Sequence, residues 1–236
     1  GRLTVLWIII GSIAQQILEK KNIFIASHIN SIKNIYDNNF ALNDITIDDC
    51  KKLNKDIFPV LDKSKKKEMI NLIHKVKNDS LGGTIESAII NLPIGLGEPL
   101  FLSVESYLSQ LLFSIPAIKG IEFGKGFELT KMFGSKANDE YIVKEDKITT
   151  LSNNNGGILG GLTTGRPVIL KCAIKPTPSI TKKQHSVNLK TKENTELIIN
   201  GRHDPQIVSR VVHVINSVLN FAILDLFIIN NKDWNK

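Results

Sequence analysis

The sequence predicts an α+β fold, and two patterns carry this prediction. Residues 168–174 alternate in the manner of a strand, with four apolar side chains on one face: Val168, Leu170, Cys172 and Ile174. Beyond Pro205, apolar residues recur at helical spacing as far as Ala222. Strand and helix patterns interleave without a repeating βαβ unit, so we expect a layered α+β fold and not a doubly wound parallel sheet.

The first half of the chain begins with a helix and a strand. Residues Arg2–Lys20 carry a broad apolar face, so we expect a helix that is buried on most sides. Ile23–Ile32 is a short strand candidate. Ser31–Lys77 is polar and rich in asparagine and lysine. Within it, Lys63–Lys67 is a charge run on a solvated face, and Glu68–Val76 is an amphipathic helix candidate.

The second half alternates short elements. The predicted elements are a strand at Gly83–Asn91, a helix at Leu100–Phe113, a turn at Ser114–Gly120, a strand at Ile121–Phe123, a short helix with a charged loop at Phe127–Asp146, a hairpin or surface excursion at Thr181–Asn194 and a strand at Glu196–Asn200. The last helix is expected to have Asp204 as its N-cap and Pro205 as its first residue.

Composition limits the class of protein. The chain has 236 residues, 42% of them hydrophobic, and a net charge of +7 with a pI near 9.3, which favours acidic partners. Aromatic residues are only 6%, and the sequence holds no recognised nucleic-acid motif. Two distant cysteines do not make a disulfide scaffold, so a reducing compartment such as the cytoplasm is expected. The apolar run Leu3–Ile10 is too short to span a membrane, and it is not a signal peptide.

A glycine-rich turn followed by a stiff polar segment is the first candidate site. Four glycines between positions 156 and 161 allow backbone N–H groups to approach a ligand closely. After the strand, two prolines hold Lys175–Ser179 extended, which fixes the ammonium of Lys175 and the hydroxyls of Thr177 and Ser179. These donors suit an anion. The glycine spacing alone also fits an ordinary turn, and it matches neither the dinucleotide fingerprint nor a P-loop.

A second candidate lies before the last helix. In Gly201-Arg202-His203-Asp204-Pro205, the polar side chains are expected at the positive end of the helix dipole, where an anion binds readily. Asp204 could equally serve only as a cap and Arg202 only as a solvated charge. The other histidines, among them His28, are interpreted as surface residues, and no metal site is expected.

Several motifs resemble the chorismate synthase family. They are Asn-Gly-Gly-Ile-Leu-Gly-Gly-Leu-Thr-Thr-Gly-Arg-Pro at 155–167, Lys-Pro-Thr-Pro-Ser-Ile at 175–180, Gly-Arg-His-Asp-Pro at 201–205, Asp-Ser-Leu-Gly-Gly at 79–83, Leu-Pro-Ile-Gly-Leu-Gly-Glu-Pro at 92–99 and Ser-Ile-Pro-Ala-Ile-Lys-Gly-Ile-Glu-Phe-Gly at 114–124. The resemblance covers most of the chain, taken as a single domain 1–236, outside a divergent polar insertion at about 31–77.

The resemblance implies a fold and a reaction. The implied fold is a layered β-α-β sandwich with helices between sheets, assembled as a homotetramer. The implied reaction is the anti-1,4-elimination of phosphate from 5-enolpyruvylshikimate 3-phosphate, which gives chorismate. It requires reduced flavin mononucleotide (FMN), with NADPH only as an indirect source of flavin reduction. The implied partners are the phosphorylated substrate and further copies of the chain, with no nucleic acid, membrane or metal.

The resemblance also implies roles for individual residues. Flavin contacts are carried over to Pro116, Ala117, Gly160, Lys175, Pro176, Thr177, Pro178, Ser179 and Arg202. Pro116 stands where asparagine is common, and it lacks a backbone N–H.

Three residues carry the substrate and proton roles that the resemblance implies. Arg2 and Arg202 would bind the substrate, and Asp204 would tune or relay a proton near flavin N5.

The chain departs from the family in ways that affect chemistry. The two family motifs that bring catalytic histidines, Gly-Glu-Ser-His-Gly and Gly-His-Ala-Asp-Tyr, do not occur in the sequence. We therefore expect the chain to be a C-terminal portion of a longer protein that does not turn over alone. Leu3, Trp7 and Asn216 also differ from the usual residues, and Asn216 is expected on the exposed or interface side of the last helix.

Two other functions stay open. One is a non-catalytic module that retains an anion or flavin site, which the absent histidine motifs permit. The other is a basic nucleic-acid-binding domain, which only the net charge supports; it would show a steep dependence of affinity on salt.

Overall fold

The computed structural model describes residues 2–40 and 45–230. The helices and strands, in chain order, are α1 (Thr4–Lys20), β1 (Phe24–Ile32), β2 (Ile35–Tyr36), α2 (Ile47–Lys55), α3 (Lys63–Lys75), β3 (Gly83–Ile90), α4 (Val104–Phe113), β4 (Ile118–Phe123), α5 (Gly134–Ala137), β5 (Tyr141–Lys144), β6 (Lys147–Thr150), β7 (Ile158–Leu159), β8 (Leu162–Thr163), β9 (Val168–Ile174), β10 (Gln184–Asn188), β11 (Glu193–Leu197) and α6 (Val208–Ile229). The predicted α+β class is confirmed.

A five-stranded antiparallel sheet forms the centre, in the order β2-β1-β3-β9-β4. Its two faces are covered by different helices, so β1 is buried along its whole length. Alternate residues of the strands, such as Ile25, Ile85 and Leu170, join α4 and α6 in the main core. The opposite residues, such as Ala26 and Ala88, join α2 in a smaller core. The other strand pairs are three separate two-stranded hairpins.

α6 is the central helix of the layer that covers the sheet. It is long and apolar enough to cross a membrane by length and composition alone, but more than half of that window is buried in the protein. Val212, Ile215 and Leu219 are fully buried in the main core. These contacts are those of a core helix.

α1 packs antiparallel to α6 through a close backbone contact. A Cβ on Gly11 would overlap the backbone of Ser217, so the two helices approach where Gly11 has no side chain. Trp7 and Phe221 line an apolar cavity of about 200 Å³ further along the same helix pair. The expectation that α1 is buried on most sides is wrong for this chain, because α6 covers one face only. Five large apolar side chains of α1 are exposed, together with Leu3 just before it: Val5, Leu6, Ile9, Ile10 and Ile13.

The polar segment 31–77, apart from residues 41–44, packs against the outer face and edge of the sheet. α2 starts with a capping box in which Thr46 and Asp49 satisfy each other's backbone N–H groups. α3 begins at Lys63 and not at the predicted Glu68, because the Asp62 side chain caps it by accepting from Ser64 N–H at 2.7 Å. The lysine run therefore forms the first turns of a helix.

Asn216 is half-buried on the side of α6 that faces β1 and α2, which contradicts the exposed one of its two predicted positions. Its side chain accepts a hydrogen bond from Ser27 and donates one to Asn54, each at 3.3 Å. Asn54 belongs to α2, so the side chain of Asn216 connects α6 to the divergent segment 31–77.

The contact between α1 and α6 predicts the effect of one methyl group. Gly11→Ala would gain about 1 kcal/mol from intrinsic helix propensity. We expect a net destabilisation of about 1–3 kcal/mol instead, because the methyl group must displace the backbone of Ser217. Urea denaturation measures the difference, and the exposed neighbour Ser12→Ala is the control. A stabilised Gly11→Ala variant would contradict the packing described here.

Candidate anion-binding site

The segment Lys175–Ser179, here called the rim, leaves the sheet at the end of β9. Its first backbone N–H donates to the carbonyl of Ala117 at 3.0 Å, which joins the rim to the turn after α4. Ala117 has a φ of 79°, an uncommon left-handed conformation for a residue with a side chain. The side chains of Lys175 and Ser179 are exposed. The structure therefore brings Ala117 and the rim together, as the resemblance implies.

The rim also meets the segment before α6. The hydroxyl of Thr177 donates to the backbone carbonyl of Asp204 at 3.1 Å. Arg202, two residues earlier, is exposed. Among residues 2–40 and 45–230, the side chains of Lys175 and Arg202 have no hydrogen-bond or ion-pair partner. Two uncompensated cations thus lie on segments that contact each other.

Asp204 is not the helix cap that the sequence predicts. α6 begins at Val208 with Ile207 in the cap position, and neither Asp204 nor Pro205 belongs to the helix. The reason is a tertiary hydrogen bond: the carbonyl of Pro205 accepts from Leu81 N–H at 2.8 Å, which holds this stretch beside another segment. Near the helix start, the side chain of Gln206 accepts from Ser209 N–H at 3.0 Å.

The carboxylate of Asp204 forms a two-point ion pair with Arg210 on the first turn of α6. Nη1 of Arg210 donates to Oδ2 at 2.7 Å and Nη2 donates to Oδ1 at 2.8 Å. Both side chains are well exposed, 45% for Asp204 and 70% for Arg210, so the pair contributes little to stability. Its geometric effect is larger, because a planar fork fixes the orientation of the carboxylate.

Gly160 does not lie beside the rim. It forms the tip of the β7–β8 turn, with a φ of 58°, and a methyl group added to its Cα would meet no heavy atom within 4 Å. The next residue, Gly161, accepts from Val104 N–H at 3.0 Å, at the N-terminal end of α4. Ala117 follows the C-terminal end of the same helix, and ten helical residues span about 15 Å. Within one chain the structure does not bring Gly160 to the rim.

Arg2 is also remote from the rim. It is exposed and precedes α1, which runs antiparallel to α6. Arg2 therefore lies toward the C-terminal end of α6, whereas Asp204 precedes its N-terminal end. A helix of 22 residues is about 33 Å long. The predicted site residues thus divide between two ends of the helical layer.

Asp139 organises the asparagine-rich turn before β7, a contact that the family-like stretch Gly134–Glu140 around it did not predict. This buried carboxylate accepts from Asn154 N–H at 2.6 Å and from Asn155 N–H at 3.0 Å. It also accepts from the Ser152 hydroxyl at 2.6 Å and from Nδ2 of Asn155 at 2.8 Å. Burial acts to raise the pKa of Asp139, but these hydrogen bonds outweigh it and hold the pKa below its usual value.

His28 is buried, which contradicts its interpretation as a surface residue. Its Nδ1 lies 3.1 Å from Oδ2 of Asp37, and its Nε2 lies 3.0 Å from Oε2 of Glu86. A neutral imidazole has a single N–H, so donation to both carboxylates requires the charged form. The partners are remote in sequence, and local periodicity gives no sign of them.

The two carboxylates also bind the divergent segment. Asp37 accepts from the backbone N–H groups of Leu61 and Asp62, and Glu86 accepts from Phe40 N–H at 2.7 Å. Burial acts to lower the pKa of His28, but the hydrogen bonds and charges of Asp37 and Glu86 outweigh it and raise the pKa above its usual value. Through its ion pair with Asp37, the charged imidazole therefore holds segment 31–77 against the sheet.

Lys171 extends this cluster along the sheet. Its Nζ lies 3.9 Å from Glu86 and 3.8 Å from Glu122, and the register places these residues opposite one another on β3, β9 and β4. Charges of alternating sign thus follow one row across four strands. In the part of the chain that the structure describes, no three His, Cys, Asp or Glu residues are placed to hold a metal ion.

Comparisons with known proteins place these motifs in a family. The model of the family described as chorismate synthase matches residues 1–228. The chorismate synthase of Methanococcus vannielii is 42% identical over 238 residues, covering 97% of this chain and 63% of the relative. That of Korarchaeum cryptofilum is 41% identical over 227 residues, covering 95% of this chain and 62% of the relative.

A solved structure agrees with the sequence matches. A crystal structure of chorismate synthase superposes with a TM-score of 0.79 at 26% identity, covering 96% of this chain and 63% of that chain. The chain therefore spans a little under two thirds of the length of the relatives it matches.

The ion cluster around His28 predicts how stability depends on pH. A histidine whose folded pKa is raised stabilises the fold fully below about pH 6.5, its usual pKa, and loses this contribution as pH rises through the folded pKa. We expect the free energy of unfolding of the native chain to fall over that alkaline range. His28→Gln should be about 3–5 kcal/mol less stable at pH 6, with a smaller difference at pH 9.5.

The exposed histidine of the β10–β11 hairpin provides the control, as His185→Gln. If His28→Gln does not fold, NMR of the native His28 ring decides the matter. A neutral ring at pH 7 would contradict the charged cluster.

Proposed function

Because the chain belongs to the chorismate synthase family, we propose that it serves the elimination of phosphate from 5-enolpyruvylshikimate 3-phosphate that forms chorismate in the shikimate pathway. One observation carries the proposal at the level of residues: the rim contacts the segment of Arg202 and Asp204, and each segment presents a cation without a partner among the residues that the structure describes. Such a site suits a ligand that bears a phosphate group.

The donor set fits reduced FMN. Lys175 and Arg202 offer an ammonium and a guanidinium without partners in the described part of the chain, and the exposed Ser179 adds a hydroxyl. Pro176 and Pro178 keep the donors extended, which limits the entropy lost on binding. The bound flavin would supply transient electron density and a proton acceptor for the elimination. NADPH would serve only as a source of flavin reduction.

The turn after α4 would contact the flavin through its backbone, with fewer groups than the family pair offers. The carbonyl of Ala117 is already used by Lys175 N–H, and Pro116 has no N–H to offer.

The half-buried Thr177 uses its hydroxyl on Asp204. Thr177 would therefore act on the flavin mainly by holding Asp204 beside the rim.

Asp204 would hold or move the proton. Both of its oxygens accept from Arg210, so a proton relay must use the remaining lone pairs or open one of these hydrogen bonds. Arg202 would reach the phosphate groups of flavin and substrate with its planar fork.

A further copy of the chain would supply Gly160 and Arg2 to a shared site, since both lie far from the rim within one chain. The exposed apolar face of α1 supports association, because monomers rarely expose a contiguous patch of that kind. We propose the homotetramer that the resemblance implies.

A reducing, cytoplasmic environment fits the two cysteines. Both are free and buried, and burial raises the pKa of each thiol to about 12. No nucleic acid or membrane has a part in this proposal.

A titration with reduced FMN under anaerobic conditions tests the site. Lys175→Ala and Arg202→Ala should each weaken binding about 10- to 100-fold, since each removes a charge-assisted contact. Arg202→Lys should restore only part of the affinity. Lys144→Ala is the control and should bind like the native chain, because the β5–β6 hairpin contacts Arg166, just before the start of β9, whereas the rim follows the other end of β9. Equal affinities for all variants would contradict the site.

Turnover of 5-enolpyruvylshikimate 3-phosphate in the same samples separates the two functions. Binding together with turnover supports the lyase. Flavin binding without turnover favours the non-catalytic flavin module, which the absence of the two histidine motifs from the sequence permits.

The oligomer has its own test. Placing charges on the outer face of α1, as Leu6→Glu with Ile13→Glu, should dissociate the assembly, because burying unpaired carboxylates is costly. Analytical ultracentrifugation measures the change. The control is Leu189→Glu on the exposed β10–β11 hairpin. A native chain that is monomeric at high concentration would contradict the shared site.

A further inference from the structure

The turn Asp79–Gly83 matches a family motif, yet the proposed chemistry gives it no role. In the structure it runs beside the rim. The Ser80 hydroxyl donates to the carbonyl of Thr177 at 2.7 Å. A Cβ on Gly82 would lie 2.5 Å from the carbonyl oxygen of Ile174 and 2.9 Å from Cδ of Pro176. The rim can pass this closely only because position 82 has no side chain.

The same turn holds the other half of the site. Leu81 donates its N–H to the carbonyl of Pro205 at 2.8 Å and forms a parallel bridge with Gln206. Leu81 itself is buried in the main core, so this contact has a rigid base. The turn therefore lies between the rim and the segment of Asp204, with a hydrogen bond to each.

The start of the turn is fixed as well. Asp79 accepts from its neighbour's N–H at 2.8 Å and from Nζ of Lys182 at 2.7 Å. Lys182 in turn donates its backbone N–H to the carbonyl of Asn78 at 3.2 Å. The hydrogen bond from Lys182 holds the pKa of Asp79 below its usual value. The chain that leaves the rim is thus tied back to the turn.

These contacts form a continuous path. Ser80 holds the carbonyl of Thr177, and the hydroxyl of Thr177 holds the carbonyl of Asp204. The hydrogen bond from Leu81 N–H to the carbonyl of Pro205 completes the path back to the turn. The positions of the rim and of Asp204 therefore depend on this turn even if no atom of the turn touches a ligand.

We propose that Ser80 and Gly82 are positioning residues that hold the rim and Asp204 at the separation needed for a flavin phosphate. This inference rests on the proposed function for the identity of the ligand, and on the contacts alone for the coupling between segments. Pre-organisation of this kind lowers the cost of ordering the donors on binding.

The test compares three substitutions in the full chain with two controls. Ser80→Ala removes the hydroxyl and Ser80→Thr retains it, while Gly82→Ala pushes against Ile174 and Pro176. The matched control for the hydroxyl is Ser12→Ala, which also loses a 2.7 Å bond to a backbone carbonyl but lies on α1. The control for the methyl group is Gly134→Ala, where a Cβ meets no atom within 4 Å.

Two readouts keep the inference separate from the proposed function. The first is the affinity for reduced FMN. The second is hydrogen exchange, without ligand, of the amides of Lys175 and Leu81, which donate to the carbonyls of Ala117 and Pro205. Ser80→Ala should weaken FMN binding about 3- to 10-fold and speed exchange at these amides, with a change in melting temperature similar to that of Ser12→Ala. Ser80→Thr should restore both, and Gly82→Ala should exceed Ser80→Ala in both.

The outcomes are distinguishable. If the native chain does not bind FMN, the proposed function fails, and exchange still decides whether the turn positions the rim. If Ser80→Ala and Gly82→Ala match their controls in exchange, the positioning role is overturned. If Gly82→Ala does not fold, the comparison of Ser80→Ala with Ser80→Thr decides alone.

Discussion

The hydrogen-bonded register of β9 is the constraint on which the rest of the structure depends. β9 lies between β3 and β4, and its pairing with both fixes where the strand ends. The rim begins at that point, so its position is set by the sheet and not by the loop itself. A slip of one residue would turn Lys171 into the core and remove Cys172 from it. The row of alternating charges across the strands opposes such a slip.

Much of the fold was accessible from local patterns. Alternation identified β9, and apolar periodicity identified α1 and α4 to within a few residues. It also identified α6, although that helix begins after Pro205 and continues past Ala222 to Ile229. The errors arose where partners distant in sequence decide the outcome. The hydrogen bond from Leu81 N–H to Pro205 keeps Pro205 outside the last helix. The carboxylates of Asp37 and Glu86 stabilise the charged form of the buried His28. No local pattern contains such information. The family resemblance does not supply this information either, because it assigns roles to residues but does not say which residues contact one another.

The candidate site shows the same division. The rim, Ala117 and Asp204 meet because strands and turns of one chain converge there. Gly160 and Arg2, to which the resemblance also assigns roles, lie at the far end of α4 and α6. A family motif assigns a residue its role in the assembled protein. The structure of a single chain shows only those contacts that are made within that chain. The unpaired apolar face of α1 is consistent with this interpretation.

The asparagine-rich turn has a chemical consequence of its own. An asparagine followed by glycine is the pair most prone to deamidation, because the next backbone nitrogen readily attacks the side-chain carbon. Asn155-Gly156 is such a pair. Here Asp139 restrains the amide group of Asn155, and Gly156 N–H is engaged with the carbonyl of Asn153 at 3.1 Å. The carboxylate that shapes the turn therefore also restrains the side-chain amide that would react, whereas the second Asn-Gly pair, Asn200-Gly201, lies outside its hydrogen bonds.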